Sequence, residues 1–131
     1  MNEEAAVRTI VRNWAQAVEA GDRRAILAHH AADVLMFDFP RVVRGLDAYA
    51  KTWDFFFDKP RGPIVFRISE LRVHAGDRVA FASCQVHCDG TSAGALDFRL
   101  TTGLLKLDSG WTIVHEHHSV PTIEERFQGQ Q

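Results

Sequence analysis

The sequence predicts an α+β fold: a cone-shaped roll in which three N-terminal helices pack within a curved, mostly antiparallel β-sheet. Two observations carry this expectation. Apolar residues recur at three- and four-residue spacing through the first part of the chain. From Ile64 onward the period switches to two, with turn signals at Ala75-Gly76-Asp77, Asp89 to Gly94 and Asp108-Ser109-Gly110 separating long strands. Helices first and a meander afterwards is the order of an α+β fold, and a sheet curled against helices leaves a conical space where ligands bind.

The elements follow in order. Val7, Ile10, Val11, Trp14, Ala17 and Val18 form one apolar stripe, which predicts a helix from Glu3 to Ala20. Gly21 ends it and Asp22 caps a second helix, Arg23 to about His30, with Ile26, Leu27 and His30 facing inward. His29 and His30 then suit the negative end of a helix dipole. Asp33 to Phe39 reads as a short buried strand. Within it, Asp38 between Phe37 and Phe39 is costly to bury unless paired or protonated. Gly45 breaks the chain and Asp47 caps a third helix, Ala48 to Phe57, with Tyr49, Trp53, Phe56 and Phe57 on or near one face. That aromatic stripe suits a core and also the roof of a pocket. After the loop Lys59 to Pro63 come strands Ile64 to His74, Arg78 to Cys88, Ala95 to Leu107, and a last one from Gly110 to Pro121. The tail from Thr122 to Gln131 is polar and expected to be loosely ordered.

With 131 residues, the chain suits a single domain spanning 1–131 with a core of its own. Hydrophobic residues make up 46% and charged residues 24%, as in globular proteins. A net charge of −2 without a basic block leaves nucleic acid no electrostatic footprint. No signal-peptide pattern and no apolar stretch of about 20 residues occurs, so a cytoplasmic protein without membrane contact is expected. Cys84 and Cys88, about 13 Å apart on one strand, are too distant to bridge and read as core filler.

The last strand holds most of the chemistry. Alternation places Trp111, Ile113, His115, His117 and Ser119 on one face, and Thr112, Val114, Glu116 and His118 on the other. Opposing Leu107 to Trp111 pairs Gly103 with His115, Thr101 with His117 and Arg99 with Ser119. Asp97, Arg99, Thr101, His115, His117 and Ser119 then form one polar cluster beside Leu105, Leu107 and Ile113. His115-x-His117 is also a two-ligand metal spacing, but nothing completes the set convincingly, so no metal is expected. No nucleophile-elbow sequence surrounds Ser119, which argues against a nucleophilic serine.

These pieces resemble the SnoaL-like branch of the nuclear-transport-factor-2-like superfamily, which also holds ketosteroid isomerases and polyketide cyclases. The resemblance covers nearly the whole chain. It rests on Ala20-Gly21-Asp22, Val34 to Asp38, Arg44 to Tyr49, Leu71 to Asp77 and, most specifically, Gly110 to Pro121. It implies a cone-shaped cavity for a small molecule, a homodimer through the sheet's outer face, and no obligatory cofactor. In ketosteroid isomerases an aspartate on the strand after the second helix is the general base, and Asp38 falls at the matching position. The departures are as informative. Trp14 replaces the isomerase's tyrosine on the first helix, and its protonated aspartate has no match, Asp97 being displaced along the strand.

The expectation is therefore proton-transfer catalysis of the isomerase, cyclase or dehydratase kind on an apolar, oxygenated carbonyl compound. Asp38 is the candidate base, with His115 and His117 as donors to the enolate. Trp14, Phe39, Tyr49, Trp53, Phe57, Arg99, Thr101 and Ser119 are the candidate substrate-binding residues. The alternative is a non-catalytic ligand-binding or dimerisation module with the same pocket.

Overall fold

The structure, a computed structural model, describes residues 2–121; the tail expected from Thr122 to Gln131 lies outside them. Helix α1 spans Glu3–Ala20, and the side chain of Asn2 caps it by accepting the Ala5 N–H at 2.7 Å. Gly21 ends α1 at a φ of 68°, the left-handed region open to glycine, where the Asp22 N–H bonds the Ala17 carbonyl at 2.9 Å. Helix α2, capped by Asp22, is only Arg23–Leu27. The expected continuation to His30 gives way to strand β1, His30–Phe37, because the His29 carbonyl accepts the Ile113 N–H at 2.7 Å and starts strand pairing there. His30 is thus a core strand residue rather than a helix-end cation.

A three-residue strand, β2 (Val42–Arg44), was not expected. It folds back on β1 through the Asp38–Arg41 turn, in which the Asp38 N–H bonds the Arg41 carbonyl at 2.9 Å. Helix α3 runs Leu46–Phe56 and is preceded by Gly45 at a φ of 88°; Asp47 sits in its first turn and does not cap it. The remaining strands are β3 (Val65–Ala75), β4 (Val79–Asp89), β5 (Leu96–Leu107) and β6 (Gly110–Ser119).

The six strands form one open sheet in the order β2-β1-β6-β5-β4-β3, parallel only between β1 and β6. This is the cone-shaped α+β roll, with a mixed sheet. Irregularities interrupt the ladders at residues 30–35, 69–72 and 113–115. Such bulges bend strands, which lets the sheet curve. Trp14, Val18, Met36, Tyr49, Trp53, Phe66, Val86 and Phe98 fill the core at one end, and Val7, Val11, Val73, Leu104, Trp111 and Ile113 at the other. Cys84 and Cys88 are buried free thiols, as expected, and burial pushes them up to about 12 and about 11. No helix among the described residues is long and apolar enough to cross a membrane.

Candidate functional site

Between α3, β1, β2 and the inner sheet face lies a cavity of about 680 Å³. Met36, Phe39, Trp53, Phe56, Phe66 and Phe98 give it aromatic and aliphatic walls, and Asp38, Arg41, Arg44, Lys51 and His118 give it charge and polarity. The volume is that of a site for a small organic molecule. Asp38, expected within the strand, stands half-buried just past its end, in the turn to β2, with Oδ1 accepting the Phe39 N–H at 2.8 Å. Among the described residues it forms no ion pair.

His118 joins this cavity to a buried polar chain. Its ring lies flat on Phe98, with centroids 5.3 Å apart and planes at 10°. Its Nε2–H donates to Glu116 Oε1 at 2.7 Å. The other carboxylate oxygen, Oε2, accepts from His30 Nε2–H at 2.5 Å and from the Tyr49 hydroxyl at 2.6 Å. Trp14 Nε1–H donates to that hydroxyl in turn, at 3.1 Å. Glu116 is 1% exposed. Burial alone would raise its carboxyl, but hydrogen bonds from His118 and His30, with their charge, outweigh it and hold the group well below the usual carboxylate range. Tyr49 moves the other way: burial, then the facing Glu116 charge, pushes its hydroxyl far up.

With Nε2 committed to Glu116, the free ring nitrogen of His118 is Nδ1. It has no protein partner among the described residues, and the residue lines the main cavity. A carboxylate that fixes one imidazole nitrogen leaves the other ready to take or give a proton. His30 differs: its Nδ1 is buried without a partner among the described residues, beside a second, smaller cavity of about 200 Å³ under α1 and α2.

The candidates read from sequence divide between the two faces of the sheet. Asp38, Phe39 and Trp53 line the main cavity. Tyr49 and Trp14 lie beneath it in the Glu116 chain. Phe57 packs against Trp53 and under the Arg23 guanidinium, at 6.2 and 5.1 Å between centres. His115, His117, Arg99, Thr101 and Ser119 are brought together by the register, as Gly103–His115, Thr101–His117 and Arg99–Ser119. They gather on the outer face, away from the cavity. His115 Nδ1–H donates to the Leu35 carbonyl at 2.8 Å, and both histidines meet the edge of Phe37. Arg99 lines a depression there with the His87–Asp97 pair.

The physical reason is one residue. At the turn the pairing is Lys106–Trp111 and Leu104–Ile113; beyond Val114 it becomes Gly103–His115. A bulge at Val114 absorbs the slip and reverses the alternation, so Trp111 and Ile113 point inward, and so do Glu116 and His118. Sequence reasoning missed Glu116 and His118 for this reason, and His30 because α2 was read through it where β1 begins. The one available signal was the cost of a glutamate beside two histidines if that row were buried. No three or more His, Cys, Asp or Glu side chains among the described residues are placed to hold a metal ion.

The fold recurs in solved structures. An NTF2-like protein of unknown function from Pseudomonas putida KT2440 is 30% identical, with 94% of this chain and 89% of that chain covered and a TM-score of 0.84. A putative ketosteroid isomerase from Shewanella frigidimarina NCIMB 400 is 21% identical over 85% of this chain and 92% of that one, at 0.70. A putative aromatic ring hydroxylase from Novosphingobium aromaticivorans is 14% identical over 92% and 90%, at 0.78. No curated protein matches the chain. The model of the SnoaL-like domain matches residues 7–123, and with that span the chain belongs to the SnoaL-like domain family.

Proposed function

We propose that the protein binds a small, apolar carbonyl compound in the main cavity and moves a proton on it, in the manner of an isomerase, cyclase or dehydratase. The observation that carries this reading is the meeting, in one aromatic-walled cavity, of the Asp38 carboxylate and a His118 ring fixed by buried Glu116. Asp38 acts as general base on a carbon beside the carbonyl. The enolate oxygen then needs a donor. His118 Nδ1 takes that role in place of His115 and His117, which lie across the sheet. Nδ1–H of His118 donates to that oxygen while Nε2–H holds Glu116, and Asp38 then returns its proton to a carbon of the enolate, which regenerates the carboxylate.

The test is α-proton exchange of 2-tetralone in D2O, followed by NMR. Asp38→Asn is expected to slow catalysed exchange by about 10²–10⁴-fold, the usual contribution of a positioned base. His118→Gln is expected to slow it less, because Asp38 remains. Exchange unchanged by Asp38→Asn removes the base assignment. Exchange no faster than buffer over a panel of cyclic ketones overturns the proton-transfer reading and leaves a binding module.

The dimer also belongs here. Val79, Phe81, Leu105 and Leu107 are exposed large apolar residues on the outer sheet face, and this supports a homodimer formed through that face.

A further inference from the structure

We infer that the cavity's ligand is an amphipathic anion: an apolar carboxylic acid whose body lies against the aromatic walls and whose carboxylate sits at the mouth, on Arg41, Arg44 and Lys51. This deepens the small-molecule reading and rests on it. The three cations come from the β1–β2 turn, β2 and α3, and all line the same cavity. None bonds a carboxylate among the described residues. Among the described residues Asp38 is the one acid in the lining, and its bonded partner is the Phe39 N–H.

Among the described residues the mouth sets three positive groups against one negative, on a chain whose net charge is −2. Positive charge gathered at a concave, low-dielectric opening raises the local concentration of anions and steers them inward. Arginine adds geometry, since its planar fork matches a carboxylate. Beside these cations Phe39 and Phe55 expose 42% and 67% of their surface. Charge and bare aromatic surface at one opening suit a ligand with both characters. A neutral ketone engages the walls alone, whereas an acid that also carries the carbonyl engages both.

The experiment compares naphthalene-2-carboxylate with naphthalene-2-carboxamide, nearly isosteric probes that differ in charge. Binding is followed by calorimetry and by the Trp53 indole N–H resonance, assigned with Trp53→Phe. The acid is expected to bind about tenfold tighter, as one added charge-assisted hydrogen bond gives, and the preference should shrink with salt. Arg41→Gln/Arg44→Gln/Lys51→Gln should abolish that preference while amide binding persists. Equal affinity for acid and amide, or a preference unchanged in the triple variant, overturns the anion assignment. If the amide binds and Asp38-dependent exchange continues, only that assignment falls; if neither probe shifts Trp53, the cavity reading falls with it. Capture by phosphatidylglycerol vesicles without naphthalene-2-carboxylate binding would make the lip a membrane contact and also overturns the proposal.

Discussion

A carboxylate with almost no solvent contact is tolerable only if its oxygens are fully engaged. Glu116 meets that condition with donors from His30, His118 and Tyr49. Removing one donor leaves charge uncompensated, so Tyr49→Phe is expected to cost about 1–3 kcal/mol, read from urea unfolding. It also strands the Trp14 N–H that donates to the lost hydroxyl. The chain has an acid dependence of known sign. The folded-state carboxyl lies below its ordinary value, so the unfolded chain takes up the proton first as pH falls. The stabilisation is therefore complete above about 4.3, the ordinary glutamate value, and declines as pH drops from there towards the folded-state value. The stability gap between the wild type and Glu116→Gln should accordingly be widest near neutrality and narrow below about pH 4. A gap constant from pH 7 to 3 would mean that Glu116 is not held as an anion. This residue was plainly visible in the sequence, yet counting alternate positions from Trp111 assigned it to the far face. Parity is robust in regular strands only, and nothing in Ile113-Val114-His115 marks a bulge.

Elements with strong periodicity were legible, and those defined by distant partners were not. α1 and β3 to β6 fall within a residue or two of the ends read from apolar spacing and turn residues. α2 stopped early and β2 went unseen because each is short, and what shapes them is pairing with remote chain: β1 beside β6, β2 folded onto β1. The Asp38 half of the candidate site was legible as a cavity residue because a lone acid between aromatics stands out locally. The His118 half depends on the same long-range pairing. One turn residue has a sharper requirement. At Gly90, with a φ of 81°, an added Cβ would lie 2.1 Å from the Pro63 carbonyl oxygen. The Gly90 carbonyl accepts the Arg61 N–H at 2.9 Å, and nearby Ser92 N–H bonds the Phe56 carbonyl at 3.0 Å. Gly90 thus joins the two loops, and Ser92 beside it ties them to the end of α3, whose Trp53 and Phe56 wall the cavity. Gly90→Ala is expected to lower stability by about 2–4 kcal/mol, since backbone strain and a backbone clash act together. A change below about 0.5 kcal/mol in thermal unfolding would show that the loops separate freely.

For the whole molecule the sheet is a partition, with the cavity on one face and an apolar strip on the other. Val79 is 63% exposed, Phe81 50%, Leu105 38% and Leu107 47%. Register places Val79 opposite Leu105 and Phe81 opposite Gly103, whose missing side chain leaves room beside the phenyl ring. His74 stacks on Phe81 at 5.0 Å and extends the strip. An antiparallel sheet with one face on the core ordinarily turns polar residues outward, and this departure from alternation is the expectation for a surface that a second copy covers. In a twofold interface each substitution acts twice, so Phe81→Glu introduces two carboxylates into one desolvated patch. Light scattering coupled to size exclusion should give a dimer for the wild type and a monomer for Phe81→Glu. A monomeric wild type at tens of micromolar would refute the dimer. The cavity lies across the sheet, so the monomeric variant should still bind naphthalene-2-carboxylate with affinity within about twofold. Loss of binding together with dimerisation would mean that the two faces are mechanically coupled, through the β6 bulge that turns His115 outward and Glu116 inward.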